Sequence, residues 1–461
     1  MRVSIALFTA DLRLHDNPAL HAALMDAERV VPLFVADTGI RRAGFAVPNR
    51  AAFLADSLAD LDASLRARGG RLVVRTGDVV EETCRVAAET GAEVVHIAAG
   101  VSRYAVRRED RLRTELGNDG RRLRLHDASV TAVPPGALTP GGKDHFAVFT
   151  PYFRRWENFS VRDVLPAPGA VPVPQVRSAG IPRAESLTPT GPGSDQGPVS
   201  PGLPAGGESE ARRRLRAWLA GPLAEYEDRG DDLAADATSR LSPYLHFGCL
   251  SATELLHRAR AHGGPGARAF VRQLAWRDFH HQVLAARPDA AHRDYRPRND
   301  RWRGDGEEIR AWKEGRTGYP VVDAAMRQLR YEGWMPNRAR LLAASFLTKT
   351  LYVDWRVGAR HFLDLLVDGD LVNNQLNWQW AAGTGTDTRP GRVLNPLVQA
   401  RRFDPRGEYV RRWLPELGGL GAEVHRLSGL PEAARAELDY PPPIVDLTEA
   451  TARFRRARGL D

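Results

Sequence analysis

The 461-residue chain is poor in cysteine, and its apolar runs are short. Cys84 and Cys249 are its two cysteines, which excludes a disulfide framework and a four-cysteine iron–sulfur cluster and predicts a reducing cytoplasm. The longest apolar runs, such as Val3–Phe8 and Val30–Ala36, are strand-sized and far too short to span a bilayer. The N-terminus lacks a basic region followed by an apolar stretch and a small-residue cleavage site, so export is not expected.

A glycine-rich nucleotide-binding turn is also missing. Thr9-Ala-Asp-Leu-Arg13 follows the first strand pattern, where a dinucleotide-binding chain would carry G-x-G-x-x-G. Glycines at that turn let the backbone approach a pyrophosphate, so a dinucleotide held there is not expected.

Residues 1–130 nevertheless alternate strand and helix patterns. Strands are predicted at Val3–Phe8, Val30–Val35, Leu72–Arg75, Val94–Ala98 and Leu123–Leu125. Helices are predicted at Asn17–Ala27, with an Asn cap and Pro18 in the first turn, and at Arg50–Arg68, Val79–Thr90 and Arg108–Leu116. Alternating βα units indicate a parallel, doubly wound sheet covered on both faces, hence an α/β domain over 1–130.

The rest of the chain has a different character. Between Pro166 and Gly207 it is dense in Pro, Gly and Ser, which predicts a surface linker within an interdomain segment at 131–208. Strand patterns then disappear, and helical segments follow one another to about Leu366, so 209–461 is predicted to be an all-α domain. Nine of the ten tryptophans lie beyond residue 210, which suggests a large flat ligand, although tryptophan commonly fills helical cores.

The charge is basic: 65 Lys and Arg residues against 57 Asp and Glu residues give +8, with a sequence pI of about 9.8. A basic surface is typical of proteins that bind phosphates, because neutralised phosphates release counterions. A GC-rich genome that favours arginine is the alternative explanation. Charge alone therefore permits a nucleic-acid partner without establishing one.

The segment Thr238-Ser-Arg-Leu-Ser242-Pro243 places hydroxyls just before a proline suited to the first turn of a helix, which predicts Ser242 as a cap. Amides and hydroxyls at such a terminus suit a phosphate or diphosphate, although a plain helix cap explains the pattern as well.

Four further segments stand out: Gln273–Phe279, Gly318–Gln328, Gly333–Arg338, and Asp368-Gly-Asp-Leu with Asn374 leading into Trp378-Gln-Trp380. Two carboxylates, an amide and two tryptophans are an unusual combination. The carboxylates could accept hydrogen bonds from ribose hydroxyls or a flavin imide and pair with an arginine such as Arg340.

These segments closely resemble the photolyase/cryptochrome family. The resemblance runs from Asp11-Leu-Arg13 and Asp16-Asn17 to Arg412-Trp-Leu-Pro-Glu-Leu417 and Tyr440-Pro-x-Pro-Ile444. It implies an α/β antenna domain and a helical domain that buries FAD, in a lyase that repairs cyclobutane pyrimidine dimers in DNA. An antenna would absorb near-ultraviolet or blue light, and excited reduced FAD would give an electron to the flipped dimer. The dimer would split and return the electron.

By the same resemblance, the FAD site comprises residues of the segments above. They are Tyr226, Thr238, Ser239, Arg240, Leu241, Ser242, Arg277, Arg340, Asp368, Gly369, Asp370 and Asn374. Arg340 should pair with Asp368, and Asn374 falls where the family places the residue that faces flavin N5. Trp302, Trp355 and Trp378 match the family's electron-transfer relay, which reduces the flavin.

The resemblance also implies a DNA site with aromatic walls, Trp276 and Trp380, around a flipped lesion. Asn337 has the form typical of cyclobutane-dimer enzymes, whereas (6-4) enzymes have a His-His pair. Gln273 replaces a glutamate that binds the thymine edge, and Leu341 replaces a methionine. The remaining DNA-facing residues implied are Arg229, Arg277, His280, Arg338, Arg392, Gln399, Arg401 and Arg402.

The antenna chromophore of the family is a folate, an 8-hydroxy-5-deazaflavin or a flavin. The acidic residue expected of the folate type is Arg108 here, which disfavours folate. We expect a deazaflavin near Val35, Asp37, Arg50 and His246.

Three alternatives remain. A cryptochrome-type light sensor usually has a long C-terminal extension or a different residue at flavin N5, whereas this chain ends at Asp461 and has Asn374. A (6-4) photolyase is disfavoured by Asn337. A plain nucleic-acid-binding module would need no buried flavin site. The expected partner is UV-damaged DNA, bound by a cytoplasmic monomer without membrane contact.

Overall fold

The computed structural model describes residues 2–188, 197–304 and 306–460. An N-terminal α/β domain, a long connecting segment and a helical domain follow one another along the chain. Within these ranges no helix combines the length and the apolar character that crossing a bilayer requires.

The sheet of the described chain has five parallel strands in the order β3-β2-β1-β4-β5. They are β1 (Val3–Leu7), β2 (Arg29–Asp37), β3 (Val73–Gly77), β4 (Val94–Ala98) and β5 (Arg122–His126). Ile5 on the central strand pairs with Val31 on one side and with Val95 on the other. The five predicted strands are confirmed, each within two residues of its predicted bounds.

Helices cover both faces of this sheet. They are α1 (Pro18–Asp26), α2 (Thr38–Arg42), α3 (Pro48–Arg66), α4 (Val79–Thr90) and α5 (Arg103–Asn118). Phe34 packs into the core with α1 and α3, whereas Ile5 and Val31 pack into the core with α4 and α5. Successive strand residues point to opposite faces, so both faces are apolar, and the predicted doubly wound arrangement is confirmed.

The helix starts follow their capping residues. Asn17 accepts from the backbone N–H of Leu20 at 2.9 Å, and Pro18 opens α1, as predicted. Helix α5 begins at Arg103, a turn earlier than predicted, because Ser102 caps it by accepting from Ala105.

The loop after β1 joins the two domains. Arg13 in this loop is buried, and its guanidinium donates to the carbonyl oxygens of Asp16, Ser129 and Gly248 at 2.8 to 3.0 Å.

The connecting segment contains α6 (Phe149–Trp156) and α7 (Ala184–Leu187) and is anchored to both domains. Val171 donates its backbone N–H to Arg68 of the α/β domain at 3.0 Å. The buried indole of Trp156 donates to Asp278 of the helical domain at 3.0 Å.

The described helices of the third segment are α8 (Glu208–Leu219), α9 (Tyr226–Arg229), α10 (Ser242–His246), α11 (Ala252–His262), α12 (Gly264–Ala286), α13 (Gly306–Glu314), α14 (Pro320–Glu332), α15 (Asn337–Ser345), α16 (Trp355–Leu365), α17 (Leu371–Ala382), α18 (Pro396–Phe403), α19 (Glu408–Trp413), α20 (Glu432–Ala436) and α21 (Leu447–Ala457). A π-helical turn, Phe346–Thr350, continues α15. The sequence pattern predicts successive helical segments to about Leu366, whereas the helices of the structure extend well beyond that residue. Short helices such as α19 escape prediction because they have too few turns to show a helical period.

Candidate FAD and DNA site

A cavity of about 450 Å³ opens in the helical domain, a size in the range of cofactor and ligand sites. Helices α9, α10, α12, α15 and α17 contribute its walls. The predicted FAD-site residues that line it are Tyr226, Thr238, Ser239, Arg240, Leu241, Ser242, Arg277, Arg340, Asp368, Asp370 and Asn374. The fold therefore gathers around one cavity residues that are far apart in the sequence.

The expected ion pair between Arg340 and Asp368 is present. Nη2 of Arg340 donates to Oδ2 of Asp368 at 2.7 Å, and its Nε donates to the carbonyl oxygen of Met335 at 2.9 Å. The Asp368 side chain is 3% exposed, so this pair lies largely out of water. A buried carboxylate needs such a partner, because an uncompensated charge is costly to bury.

Asp370 begins a chain of hydrogen bonds along the same wall. Its carboxylate caps α17 by accepting from Val372 and also accepts from the Asn373 amide. Oδ1 of Asn373 then lies 3.0 Å from Nδ1 of His280. Burial opposes ionisation of Asp370, but the basic groups around it and the bond from Asn373 hold its pKa below the ordinary value.

His280 is thereby fixed in one tautomer. Burial lowers its pKa to about 4, so the ring is neutral near pH 7. Because Nδ1 donates to Asn373, Nε2 is left as an acceptor.

Three buried polar atoms of the cavity wall lack a hydrogen-bond partner within the described residues. They are Oγ1 of Thr238, Nε2 of His280 and Oδ1 of Asp368. Buried polar atoms are rarely left unpaired, so a polar ligand is expected to meet them. A hydroxyl donor, an acceptor nitrogen and a carboxylate oxygen fit the mixed donors and acceptors of a flavin nucleotide.

The predicted cap at Ser242 is wrong. Helix α10 begins with Ser242 as its first residue, and Leu241 occupies the capping position without a side-chain bond. The Ser242 hydroxyl instead accepts from the indole of Trp334 at 3.0 Å, and the guanidinium of Arg240 lies over the same indole at 4.4 Å. Arg240 also pairs with Asp236, so its charge is already compensated within the protein.

Gly369 differs from the other predicted FAD residues, because it does not line the cavity. A β-carbon there would collide with the guanidinium of Arg50, which packs against this glycine. Arg50 in turn donates to the carbonyl oxygens of Phe45, Leu363 and Leu366. Gly369 therefore makes room for an arginine that binds the α/β domain to the helical domain.

The four predicted antenna residues fall into two sets. His246 lines the cavity of the helical domain. Arg50 lies close enough to His246 that its positive charge helps to lower the pKa of that histidine. Val35 and Asp37 lie instead at the carboxyl end of β2, where Asp37 caps α2 and accepts from the Tyr104 hydroxyl.

Arg108, the residue that disfavours folate, is half-buried and lies near Asp37 at these strand ends. Its guanidinium pairs with Glu109 at 3.2 Å, and burial, opposed by Glu109, Asp37 and Asp11, lowers its pKa. The carboxylate next to Arg108 in the sequence thus forms an internal ion pair.

The mouth of the cavity carries amides and aromatic rings. Gln273 and Asn337 line it and are exposed, and Trp276, Trp380 and Leu341 line it half-buried. Arg277 and His280, assigned to both the cofactor and the DNA sides, lie deeper in the same wall. The predicted lesion-facing residues thus open directly onto the predicted FAD-binding residues.

The predicted phosphate-contacting residues lie outside the cavity and differ in their exposure to solvent. Arg401 and Arg402 are exposed on α18, as is Arg392 before it. Gln399 on the same helix is 8% exposed, so a direct contact with a DNA backbone is not favoured there.

Two other predicted rim arginines already have carboxylate partners. Arg338 pairs with Asp231, and its guanidinium lies over the Phe403 ring at 4.2 Å. Arg229 is exposed and pairs with Glu225 at 2.7 Å.

The three predicted relay tryptophans differ in burial. Trp378 lines the cavity and is 2% exposed, Trp355 is fully buried, and Trp302 is half-buried. The Trp355 indole donates to Asp294 at 2.8 Å, and Trp302 packs against Tyr352 with ring centroids 5.0 Å apart.

Sequence reasoning missed several lining residues, notably Asn373, Asn377 and Trp334. A helical period would have indicated the two amides, because Asp370, Asn373, Asn374 and Asn377 share one face of α17. Trp334 lies inside a segment that the sequence singled out, but a lone tryptophan gives no sign of its role.

Comparisons with known proteins decide the family. Residues 4–173 match the family described as DNA photolyase, and residues 270–459 match the FAD binding domain of DNA photolyase. A deoxyribodipyrimidine photo-lyase of Streptomyces griseus is 65% identical over 100% of both chains. The chain belongs to the photolyase/cryptochrome family.

Two solved structures of this family share the fold. A bacterial class III photolyase from Agrobacterium tumefaciens is 33% identical with a TM-score of 0.90, covering 100% of this chain and 97% of its own. A cryptochrome from Synechocystis sp. is 29% identical with a TM-score of 0.91, covering 99% of each chain. The family fold and its FAD-binding domain are thus established for this chain, and photolyases and cryptochromes share that fold.

Proposed function

We propose that this protein is a light-driven, FAD-dependent lyase that repairs cyclobutane pyrimidine dimers in DNA. The observation that carries the proposal is the continuity of the cavity. Arg340 and Asp368 line the same cavity as Trp276 and Trp380, so the charged wall and the aromatic wall belong to one space. A dimer flipped into that mouth would lie against the cofactor, as electron transfer requires. The 65% identity to a deoxyribodipyrimidine photo-lyase supports the same function.

The cofactor side is assigned to the buried polar groups. Asp368, Thr238 and His280 offer their unpaired atoms to FAD, and Arg340 holds the Asp368 carboxylate in place. When bound, reduced FAD supplies the light-excited electron that splits the dimer and recovers it afterwards. Asn374 donates from Nδ2 to the carbonyl oxygen of Ala359 at 3.0 Å, which leaves its oxygen available to the cavity. A carboxamide has no proton to lose near pH 7, so a reduced flavin is not protonated from this position.

The lesion side is assigned to the mouth. Trp276 and Trp380 would stack on the flipped bases and exclude water from them. Gln273 and Asn337 each carry a donor and an acceptor, which suits the imide and carbonyl edge of a thymine. Asn337 favours the cyclobutane dimer over the (6-4) photoproduct, for which the family uses two histidines.

Binding to DNA is assigned to the basic surface around this mouth. The charge of +8 and the exposed Arg392, Arg401 and Arg402 suit phosphate contacts that fix the register of the duplex. Such contacts make the affinity for DNA fall as the salt concentration rises. The logarithm of the affinity falls against the logarithm of the salt concentration with a slope of about 0.9 per phosphate on duplex DNA.

A deazaflavin antenna, bound beside Val35 and Asp37, is a further part of the proposal. Arg108, which stands where the folate type has an acidic residue, disfavours folate as the antenna. We also infer that the protein acts as a monomer in the cytoplasm, where its two cysteines would stay reduced.

The test is repair in light by the purified protein. An oligonucleotide with one thymine dimer is incubated with chemically reduced protein, in blue light and in the dark. Restored thymines in light alone, together with a flavin absorption band, are expected. A flavin band with no restoration would instead indicate a light sensor.

A further inference from the structure

A tyrosine ring, that of Tyr352, packs against Trp302 at the half-buried end of the proposed relay. The two ring centroids are 5.0 Å apart and the planes are inclined by 45°, so the rings are in contact. Trp302 is half-buried, whereas Tyr352 is 3% exposed. The last tryptophan of the proposed path therefore touches a second oxidisable ring, which is shielded from water.

The phenol of Tyr352 has a buried carboxylate as its partner. Its hydroxyl donates to Oδ1 of Asp300 at 2.8 Å, and the Asp300 side chain is 1% exposed. Arg458 of α21 holds this carboxylate with two bonds, from Nε to Oδ1 and from Nη2 to Oδ2 at 2.8 Å. Arg458 also donates to the carbonyl oxygen of Ala382 at 3.0 Å. A carboxylate gripped by both guanidinium nitrogens has a fixed orientation, so it keeps an acceptor aimed at the phenol.

The backbone at Tyr352 is strained. Its φ is 58°, in the left-handed region, which is an outlier for a bulky residue. Its carbonyl oxygen accepts from the backbone N–H of Arg303 at 2.9 Å, and an isolated parallel bridge pairs Arg303 with Val353. These bonds hold the segment of Trp302 against the segment of Tyr352. Strained residues persist only where the surrounding structure holds them, and they cluster at functional sites.

The hydrogen bond to Asp300 prepares Tyr352 for oxidation. Burial, together with this hydrogen bond, raises the pKa of Tyr352 to about 12, so the phenol keeps its proton in the resting protein. A phenol that loses an electron becomes a strong acid, and its oxidation is therefore easiest where a base stands ready for the proton. The Asp300 carboxylate lies within hydrogen-bond distance and can serve as that base.

We propose that Tyr352 is the terminal electron donor of the relay and that Asp300 accepts its proton. One electron passes from the phenol to the oxidised Trp302 ring, and the phenolic proton passes to the Asp300 carboxylate along the existing hydrogen bond. The products are a neutral tryptophan, a neutral tyrosyl radical and a protonated carboxyl group, so charge and electrons balance. One electron from an external thiol restores Tyr352, and the proton returns from Asp300.

This step prolongs the separation of charge, because the electron can return to Tyr352 only together with the proton. The inference rests on the proposed function, since oxidation of Trp302 presupposes the relay to light-excited FAD. It assigns to the relay a residue outside the three tryptophans, and a proton acceptor for it.

The experiment identifies the radical that blue light forms in the protein with oxidised FAD bound. Samples without thiol are frozen under illumination for electron paramagnetic resonance, with and without ring-deuterated tyrosine, and transient absorption follows the decay of the radical. Tyr352→Phe keeps the ring and removes the phenol. Asp300→Asn keeps an acceptor oxygen but cannot take up the proton. Flavin absorption and thermal unfolding report whether each variant is folded.

Tyr440→Phe is the matched control. The Tyr440 hydroxyl also donates to a buried carboxylate, that of Asp323, which keeps its bonds from Thr317 and Gly318. Within the described part of the chain, the Tyr440 ring is not among those packed against a relay tryptophan.

We expect the wild type and Tyr440→Phe to give a signal that narrows when tyrosine is deuterated. Tyr352→Phe should lose this tyrosyl signal and show instead a tryptophan radical that decays faster. Asp300→Asn should lose most of the tyrosyl signal while it keeps its flavin, a result that a purely structural role of Asp300 would not produce.

A wild type that forms only a tryptophan radical, or a tyrosyl signal that persists in Tyr352→Phe, would overturn the inference. An undiminished signal in Asp300→Asn would overturn the assignment of the proton acceptor. Repair of a thymine dimer by chemically pre-reduced wild type is measured separately. Its absence would refute the proposed function, whereas a tyrosyl signal lost in Tyr352→Phe would still support Tyr352 as the terminal donor.

Discussion

Phe149 and Trp276 lie face to face, with ring centroids 3.8 Å apart and planes inclined by 5°. Phe149 belongs to α6 of the connecting segment, whereas Trp276 belongs to α12 and lines the cavity mouth. Arg272 lies over the Phe149 ring at 4.9 Å. The connecting segment thereby fixes the plane of the aromatic wall on which a flipped base would stack.

Replacing Phe149 should loosen that wall without emptying the cofactor site. We expect Phe149→Ala to weaken binding of thymine-dimer DNA by about 0.5–1.5 kcal/mol, since Trp276 is then free to rotate. Phe149→Tyr keeps the ring and should restore the affinity. Titration by fluorescence anisotropy measures the effect, and equal affinity of the Ala and Tyr variants would contradict it.

The pair of Arg340 with Asp368 should govern retention of FAD. Arg340→Met leaves a buried carboxylate without its partner, a change that costs about 3–5 kcal/mol in buried pairs and less here, since Arg340 is partly exposed. The ratio of flavin to protein absorbance after purification should fall sharply. Asp368→Asn removes the buried negative charge itself, so this variant should lose less flavin than Arg340→Met. Full flavin content in Arg340→Met would refute this role.

Two buried histidines, His280 and His281, and the half-buried His246 should make folding stability sensitive to mild acid. Burial lowers the pKa values of His246, His280 and His281 to about 4 each, below the unfolded value near 6.5. The unfolded chain therefore binds more protons between pH 6.5 and 4, and stability present above pH 6.5 is lost as pH falls through this window. Each histidine contributes a slope of about 1.4 kcal/mol per pH unit. Urea unfolding at several pH values should show a smaller slope in His280→Gln, and an unchanged slope would count against the buried neutral ring.

The relay prediction concerns Trp302, Trp355 and Trp378. Trp302→Phe should slow reduction of bound FAD by light and an external thiol, because the half-buried end of the path is lost. Repair by chemically pre-reduced protein should stay near the wild-type rate. Flavin absorption during illumination follows the first effect, and unaltered photoreduction in all three single Phe variants would exclude the relay.

The regular parts of the fold were accessible from the sequence because their signals are local. The β-branched runs predicted the five strands, and Asn17 with Pro18 predicted the start of α1. The start of α5 was predicted too late, because the residue that caps it, Ser102, is a lone serine and therefore a weak sequence signal. At Ser242 the sequence signal for a cap is strong but wrong. A serine before a proline suggests a helix cap, whereas here the hydroxyl accepts a hydrogen bond from the distant Trp334.

Part of the site could be predicted from the sequence, through family motifs. Those motifs placed Arg340, Asp368 and Asp370 around one cavity, and the geometry agrees. The stack of Phe149 on Trp276 and the packing of Arg50 against Gly369 depend on how distant segments meet, and no local pattern encodes them.

Gln273 should read the edge of the dimer. Gln273→Ala would leave the thymine imide and carbonyl unpaired in a desolvated mouth, which costs about 1–3 kcal/mol of binding. Gln273→Glu should restore or improve repair if the mouth has cyclobutane-dimer geometry. Affinity and single-turnover repair of the two variants decide this, and tighter binding by the Ala variant would contradict it.

The most direct test of the central claim compares two lesions in otherwise identical DNA. Pre-reduced protein is mixed in separate reactions with oligonucleotides that carry a cyclobutane thymine dimer or a (6-4) photoproduct, then illuminated, and restored bases are followed by chromatography. We predict restoration of the cyclobutane dimer in light, none in the dark, and none of the (6-4) photoproduct. Restoration of the (6-4) photoproduct alone, or of neither lesion by protein with reduced FAD bound, would contradict the account.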